Sequence, residues 1–273
     1  MPPLPHNGFV SLVGAGPGDP GLLTVKALSR LRRADTVAYD RLVNPALLRE
    51  CRADAELLYV GKHGEREGRP TFPQEEINAL LVSHARQGRV VVRLKGGDPL
   101  LFGRGSEEAL ALRAAGISFE IIPGVSAALA VPAYAGIPPT HRGLASTVTI
   151  VTGRQAPDKD RPAIDWQALA RGSDTLVVLM GIGRLESITQ ELLQGGRPPN
   201  TPAAVIRWGT TTEQQLLSGT LANIAQRVRQ AKLTPPATLV IGEVVALQGR
   251  LQWFEPRSQA VDEEATPQAA RRR

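Results

Sequence analysis

Two glycine-rich segments each follow a β-branched run, and their backbones could approach a bound ligand closely. The first, residues 14–21, reads Gly-Ala-Gly-Pro-Gly-Asp-Pro-Gly. Asp19 stands where a dinucleotide fingerprint needs its third glycine, and no Gly-Lys-Ser/Thr follows to make a P-loop. A rigid Pro17 and an anionic Asp19 suit a pyrophosphate poorly, so the segment predicts a ligand that is not a phosphate anion. A tight strand-to-helix turn without any ligand is the alternative.

The second glycine-rich segment, residues 96–99, reads Gly-Gly-Asp-Pro and also follows a strand-like run. Gly96 and Gly97 expose backbone N–H and C=O groups, and Asp98 could accept hydrogen bonds from ribose hydroxyls or from an amine. A Gly-Arg-Gly turn around Arg104 then opens a helix. The alternative is a glycine-rich connection in which Asp98 only caps a turn.

Single charged residues end two further strand-like runs. Asp40 follows the second run, and Lys62 follows the third. Binding crevices of open α/β sheets lie beyond the carboxyl ends of the strands, so we expect Asp40, Lys62 and the 96–99 loop to converge there. Asp40 could act as a base, and Lys62 as an acid or an anion contact. Taken alone, an Asp40–Arg41 pair in solvent is the simpler interpretation.

Four more residues favour ligand contact by their types. A Pro-Gly turn precedes Ser126 and Ala127, whose small side chains and free helix N–H groups permit a close approach. Arg142 could bind a carboxylate in bidentate fashion. Met180 follows a strand and could form an apolar wall of a ligand site, although methionine at such a position is normally part of the core.

The composition excludes several classes of protein. No run of roughly 18 apolar residues occurs, and the first residues lack a basic and an apolar signal region, so we expect neither a membrane span nor a signal peptide. The net charge is +6, but residues 271–273 are all Arg and supply half of it. The aromatics (3 Trp, 3 Tyr and 5 Phe) are scattered, so no base-stacking platform is visible and we expect no nucleic-acid partner.

Metal and disulfide chemistry is also disfavoured by the sequence. The chain has 4 His on dissimilar segments and a single cysteine, Cys51. These residues show no metal-ligand spacing and cannot form an intramolecular disulfide framework. We therefore expect no metal, and a reducing, cytoplasmic location.

Strand-like runs alternate with amphipathic stretches of helical spacing, which is typical of an α/β architecture. We predict an N-terminal α/β domain over residues 7–138 with a mostly parallel sheet, a C-terminal α/β domain over residues 139–255, and a disordered tail over residues 256–273. A hairpin-like pattern over residues 237–254 predicts that antiparallel strands make the second sheet mixed.

Several motifs occur in the order found in one family. They are Gly-Ala-Gly-Pro-Gly-Asp-Pro-Gly from residue 14, Tyr-Asp-Arg-Leu-Val from 39, Val-Gly-Lys from 60, Arg-Leu-Lys-Gly-Gly-Asp-Pro from 93, Phe-Gly-Arg-Gly from 102, Ile-Pro-Gly-Val-Ser-Ala from 122 and Thr-His-Arg from 140. The sequence resembles the S-adenosylmethionine-dependent tetrapyrrole methylases. The Tyr-Asp-Arg, Gly-Lys and Phe-Gly-Arg-Gly motifs are similar to those of the uroporphyrinogen-III C-methyltransferases within that family.

This resemblance implies two α/β domains, a methyl donor in the cleft between them, and a homodimer. It implies two methylations of uroporphyrinogen III, at C2 and C7, that give precorrin-2 for sirohaem or cobalamin synthesis. It assigns Asp40 as proton acceptor and Lys62 as proton donor, and places Arg104, Glu107 and Arg142 against the substrate. The implied donor contacts are Pro17, Gly96, Gly97, Asp98, Leu101, Ser126, Ala127, Met180 and Gly209.

Other interpretations remain open at this point. A methyltransferase of the same fold that acts on a later corrinoid precursor is the main alternative. Methylation of rRNA or of a diphthamide intermediate, and a non-catalytic metabolite-binding module, are two more. Residues 63–72 look longer than the corresponding loop in many relatives. The chain also lacks the dehydrogenase–chelatase module found fused in some sirohaem synthases, so we expect its reaction to stop at precorrin-2.

Overall fold

The computed structural model describes residues 8–61, 72–154 and 164–256. Its first sheet is entirely parallel and has the strand order β3-β2-β4-β1-β5. The strands are β1 (Phe9–Gly14), β2 (Thr36–Tyr39), β3 (Glu56–Tyr59), β4 (Val90–Lys95) and β5 (Phe119–Ile122). This confirms the predicted parallel sheet, and it gathers the carboxyl ends of all five strands at one edge.

Helices cover both faces of this sheet, as a parallel sheet requires. They are α1 (Val25–Leu31), α2 (Pro45–Leu48), α3 (Gln74–Arg86) and α4 (Gly105–Ala114). Local signals fix their starts: the Thr24 side chain accepts a hydrogen bond from the Ala27 N–H, and Asn44 caps α2 in the same way. Leu31 packs into the core on one face and Leu81 into the core on the other.

A charged cluster ties β5 to β1 and α1. The Glu120 carboxylate accepts hydrogen bonds from Arg30 and from the Ser11 hydroxyl, the latter at 2.9 Å, and its other oxygen lies 2.7 Å from the Lys26 ammonium. Burial alone would raise the pKa of Glu120, but these three partners lower that pKa to about 2. The cluster therefore stabilises the folded state only while Glu120 is ionised.

The second sheet is mixed, with the order β6-β7-β10-β8-β9. Its strands are β6 (Val148–Thr152), β7 (Thr175–Leu179), β8 (Pro202–Arg207), β9 (Gln215–Thr220) and β10 (Ala237–Ile241). β6 and β7 are parallel, whereas β10 runs antiparallel to β7 and β8, and β9 runs antiparallel to β8. The mixed sheet is confirmed, and the carboxyl ends of β6, β7 and β8 share one edge.

The hairpin predicted over residues 237–254 is wrong. β10 ends at Ile241, and a 3-10 turn (Glu243–Leu247) and the short helix α9 (Gln248–Leu251) follow it. The apolar pattern continues past the strand because Val244 and Val245 are buried against the face of the second sheet. The antiparallel partner that the sequence pattern did not reveal is β9, which forms a true hairpin with β8.

The helix α5 (Ala127–Tyr134) begins beside the first sheet but packs on the second. Its residues Ala128 and Val131 share a buried cluster with Val177 of β7 and Ile206 of β8. The remaining helices are α6 (Trp166–Gly172), α7 (Leu185–Gln194) and α8 (Ile224–Gln230), and they cover the opposite face. The domain boundary at residue 138 stays a prediction, and of the predicted tail, residues 257–273 lie outside the described residues.

Candidate functional site

Three glycine turns meet at the carboxyl edge of the first sheet, after β1, β4 and β5. Gly16 and Gly97 exchange backbone hydrogen bonds, with N–O distances of 3.2 and 2.7 Å. A Cβ atom added to Gly14 would lie 2.5 Å from the Cα of Gly124. The glycines therefore let three backbones pack directly against one another, and the predicted close approach of these turns to a ligand stays a prediction.

Gly97 differs from its neighbours because its side-chain direction is open. It has a φ of +67°, and within the described part of the chain the backbone nitrogen of Ala127, at 3.9 Å, is the one atom beyond its chain neighbours that an added Cβ would meet within 4 Å. Ser126 caps α5 through a 3.2 Å hydrogen bond from the Ala128 N–H, which fixes the adjacent helix start. Gly97 thus lies beside the start of α5, and contact of Gly97, Ser126 and Ala127 with a ligand stays a prediction.

Asp98 is engaged by backbone donors in this structure. Its Oδ1 accepts hydrogen bonds from the N–H groups of Leu100 and Leu101, at 2.8 and 3.0 Å, and its Oδ2 accepts one from Gly124 at 3.1 Å. The turn-capping interpretation therefore describes what Asp98 does within the chain. Leu101 extends beyond this turn and packs against the buried cluster of the second sheet. Contact of Asp98 with a ligand stays a prediction.

The second sheet turns its own carboxyl edge toward these loops. Gly209 follows β8, and an added Cβ there would lie 2.6 Å from a methyl group of Val131 in α5. Gly18 approaches the same connection, since its added Cβ would lie 2.8 Å from Thr211. Met180 follows β7 at this edge and is half exposed rather than buried in the core. The connection after β8 therefore packs against the loop after β1 and against α5, and we refer to the edge that these loops share as the cleft.

Asp40 lies at the edge of the first sheet next to the 96–99 loop. Its neighbour Leu42 lies 3.2 Å from the position of an added Cβ on Gly96. The Oδ1 atom of Asp40 accepts a 2.6 Å hydrogen bond from Nη2 of the buried Arg93. The structure thus pairs Asp40 with a strand residue beneath it, and among the described residues no ion pair joins Asp40 to Arg41. Lys62 lies outside the described residues.

The predicted substrate-contacting residues fall in two places. Arg104 and Glu107, at the start of α4, form a bidentate ion pair with N–O distances of 2.6 and 2.8 Å, and both are about half exposed. Arg142 lies on a separate turn and lines a cavity of about 480 Å³ together with Leu144, Leu247, Arg250 and others. Within the described ranges, no recorded contact joins Arg142 to the cleft.

Comparison with known proteins decides between the possible families for this arrangement. The sequence profile of the Tetrapyrrole (Corrin/Porphyrin) Methylases matches residues 10–225. The chain belongs to the tetrapyrrole methylase family.

Alignments with relatives cover most of this tetrapyrrole methylase. It is 50% identical over 240 residues to the uroporphyrinogen-III C-methyltransferase of Methanocaldococcus jannaschii, an alignment that covers 88% of this chain and 97% of the relative. It is 52% identical over 247 residues to siroheme synthase 2 of Aeromonas hydrophila, covering 90% of this chain but 51% of that protein. The chain thus spans about half the length of the sirohaem synthase.

A solved structure has the same fold. It is the Thermus thermophilus uroporphyrin-III C-methyl transferase in complex with S-adenosyl homocysteine. The TM-score is 0.75 at 42% identity, and the match covers 88% of this methylase and 100% of that chain. The similarity confirms the predicted fold class of two α/β units.

The cleft of this tetrapyrrole methylase also contains backbone strain that the sequence does not reveal. Five non-glycine residues after β4, β7 and β8 have a positive φ, and one such residue lies elsewhere among the described residues. The five are Phe102, Arg104, Met180, Trp208 and Thr210. Left-handed backbone in non-glycine residues is costly and clusters at functional sites. Phe102, Trp208 and Thr210 are therefore further candidates, and their strain could not be predicted because residue type does not specify this conformation.

Hydrogen bonds across the cleft hold the two halves of the methylase together. The Tyr134 hydroxyl donates to Oδ2 of Asp19 at 2.7 Å, and the Asp19 N–H donates to the Thr210 hydroxyl at 3.1 Å. Gln214 accepts from the Thr210 N–H at 2.8 Å and donates to the Tyr134 carbonyl at 3.2 Å. Burial and the Asp19 carboxylate raise the pKa of Tyr134 to about 12, so the phenol remains a donor.

The described residues contain neither a metal-binding cluster nor a membrane-spanning helix. No group of three or more His, Cys, Asp or Glu side chains there could hold a metal ion. None of the helices in those same ranges has both the length and the apolar character needed to cross a bilayer.

Proposed function

We infer that the chain catalyses the S-adenosylmethionine-dependent methylation of uroporphyrinogen III at C2 and C7, giving precorrin-2. The observation that supports this most directly is the cleft in which the glycine turns after β1, β4 and β5 face the edge of the second sheet. A relative that is 50% identical over most of both chains is named for this activity. The Thermus enzyme of the same fold was solved with S-adenosyl homocysteine.

The chemistry of the cleft fits this methyl donor. Open space beside Gly97 can accept a ligand without phosphate. When bound, S-adenosylmethionine supplies an electrophilic methyl group on a sulfonium sulfur. We propose that its amino acid, ribose and adenine contact Pro17, Gly96, Gly97, Asp98, Leu101, Ser126, Ala127, Met180 and Gly209. These residues hold the methyl group in line with the acceptor carbon, and such positioning contributes ~7–11 kcal/mol in well-oriented reactions.

The tetrapyrrole substrate has eight carboxylates, which makes cationic side chains its natural contacts. We propose that Arg104 and Glu107 orient it at the mouth of the cleft, and that Arg142 binds it from its separate turn. Arg104 is suited to this role because it is exposed, although substrate carboxylates would compete with Glu107 for its guanidinium. Asp40 accepts the proton that methylation makes acidic, and Lys62 acts as proton donor.

Incubation with uroporphyrinogen III and methyl-labelled donor tests this function. We expect two labels per pigment, located at C2 and C7 by mass spectrometry and NMR. A later corrinoid precursor should remain unlabelled in a parallel reaction. Labelling of that precursor alone would replace the proposed substrate with the alternative one. Donor binding without transfer to any tetrapyrrole would remove the enzymatic proposal altogether.

We also propose that the enzyme is a homodimer located in the cytoplasm. The dimer is what the family resemblance implies, and light scattering of the purified chain measures it directly. The cytoplasmic location is supported by the composition, in which Cys51 is the one cysteine. Cell fractionation followed by immunodetection tests the location.

A further inference from the structure

Two cations are buried in the first sheet directly beneath the cleft. Arg93 and Lys95 lie two residues apart on β4, so their side chains point to the same face of the sheet. Their exposed fractions are only 2% and 3%. Central strands of a parallel sheet are normally apolar on both faces, and Val91 and Val92 follow that rule. Two cations at the last positions of this strand therefore need a physical reason.

Glu108 of α4 is the shared partner of these cations, and it is fully buried. Its Oε1 accepts hydrogen bonds from Nε of Arg93 at 3.0 Å and from Nζ of Lys95 at 2.8 Å. The Gln74 amide adds a third donor to the same oxygen at 3.4 Å. Within the described part of the chain, Oε2 has no hydrogen-bond partner. All three hydrogen bonds to Glu108 are thus accepted by Oε1.

The other end of the Arg93 guanidinium reaches the cleft. Nη2 donates to Oδ1 of Asp40 at 2.6 Å, while Nη1 lies 3.3 Å from the Leu94 carbonyl and 3.4 Å from the Ala38 carbonyl. Burial alone would lower the pKa of Arg93, but the Asp40 and Glu108 carboxylates raise it, so the guanidinium stays charged. Contacts on all three nitrogens fix the plane of the group, and that plane sets the position of the Asp40 carboxylate.

Stability does not account for this arrangement. Replacement of a buried ion pair by apolar side chains of similar volume is often neutral or stabilising, because desolvation offsets the Coulombic attraction. The alternating charges run from the fully buried Glu108 through Arg93 to Asp40, and the last of these is 29% exposed at the edge of the cleft. An orienting role explains why charges are present where an apolar core would fold equally well.

We propose that Glu108 is a positioning residue for methyl transfer: it fixes Arg93, and Arg93 in turn holds the Asp40 carboxylate at the mouth of the cleft. This rests on the proposed function, in which Asp40 accepts a proton. Glu108 itself touches neither the donor nor the tetrapyrrole, since it is fully buried and acts through Arg93.

A double-mutant cycle tests the proposal. Glu108→Gln keeps the shape and one acceptor oxygen, and we expect it to lower kcat at least tenfold with KM and the donor Kd within twofold. In the Asp40→Asn background the same change should alter kcat less than twofold, because Glu108 acts through Asp40. The double variant Glu108→Gln/Lys95→Met removes one charge of each sign, and it replaces Glu108→Gln in the assay if the single variant fails to fold. It should show the same fall in kcat.

Glu120→Gln is the matched control. Glu120 also accepts hydrogen bonds from a buried arginine, but it lies near the amino end of β5, away from the cleft edge. We expect a lower unfolding temperature and a kcat within twofold of the wild type. Equal losses of kcat on Glu108→Gln in the wild-type and Asp40→Asn backgrounds would overturn the positioning role.

Failure of the proposed function is distinguishable from failure of this inference. If the wild-type protein does not methylate uroporphyrinogen III, the proposed function fails. Crystal structures of the wild type and Glu108→Gln then decide the positioning claim by themselves. Displacement of the Asp40 carboxylate relative to Gly96 in the variant supports the claim, and an unmoved carboxylate overturns it.

Discussion

Gly97 is the position at which a single methyl group should separate donor binding from folding. Its φ of +67° and the open space in its side-chain direction make the Gly97→Ala and Gly97→Val substitutions informative. Gly88 provides a matched control, because it has a φ of +80° and an added Cβ there meets nothing within 4 Å. Gly88 is exposed after α3 and lies at the opposite end of β4 from the cleft.

The expected magnitudes follow from these two environments. A non-glycine residue with left-handed backbone costs ~1–2 kcal/mol, so Gly97→Ala and Gly88→Ala should destabilise the fold by similar amounts. At Gly97 the new atoms also enter the space that the donor is proposed to occupy. We expect roughly tenfold weaker donor binding for Gly97→Ala, and for Gly97→Val a loss of ~3–4 kcal/mol, which is a factor of several hundred in Kd.

Isothermal titration with S-adenosyl homocysteine, together with thermal unfolding of the same samples, measures both effects. The Gly88 variants should lose stability and keep the donor Kd within twofold of the wild type. A Gly97→Val protein that is folded and binds the donor as tightly as the wild type would refute the assignment. The donor would then have to bind away from the turn that follows β4.

Three more outcomes follow from the structure. Glu120→Gln should lower the free energy of unfolding by ~2 kcal/mol at pH 7, a value reduced from the full pKa difference because the carboxylate is partly solvated. Because the folded pKa of Glu120 is about 2, this loss should be present above about pH 4.5 and should disappear as the pH falls toward 2. Urea titrations across that pH range would measure it. Tyr134→Phe removes the 2.7 Å hydrogen bond to Asp19 and should cost ~1–2 kcal/mol by chemical denaturation, and an unchanged midpoint would show that this bond does not hold the halves together. Asp40→Asn and Lys62→Ala should each lower kcat at least tenfold in a labelled-methyl assay while the donor Kd stays within threefold, whereas equal losses of donor affinity would assign both residues to structure.

Much of the fold follows from local sequence signals. The β-branched runs of β1, β2 and β4 lie where the periodicity predicts them, and Thr24 caps α1 through its own side chain. The errors arise where the apolar pattern reports burial rather than backbone conformation. Val244 and Val245 pack with α5 in a buried cluster, and their apolar pattern predicts a strand where the chain forms a 3-10 turn and a helix.

The sequence by itself determines the loops of the candidate site, because glycine is needed where backbones touch, at Gly14 and Gly124, and where φ is positive, at Gly97, and all three are visible as residue types. It does not determine the partner of Asp40. That partner is Arg93, 53 residues away, and it is held by Glu108 on a helix. Pairings of this kind depend on strand register and on which face a helix covers. Both are set by packing over long sequence separations, so only the tertiary structure decides them.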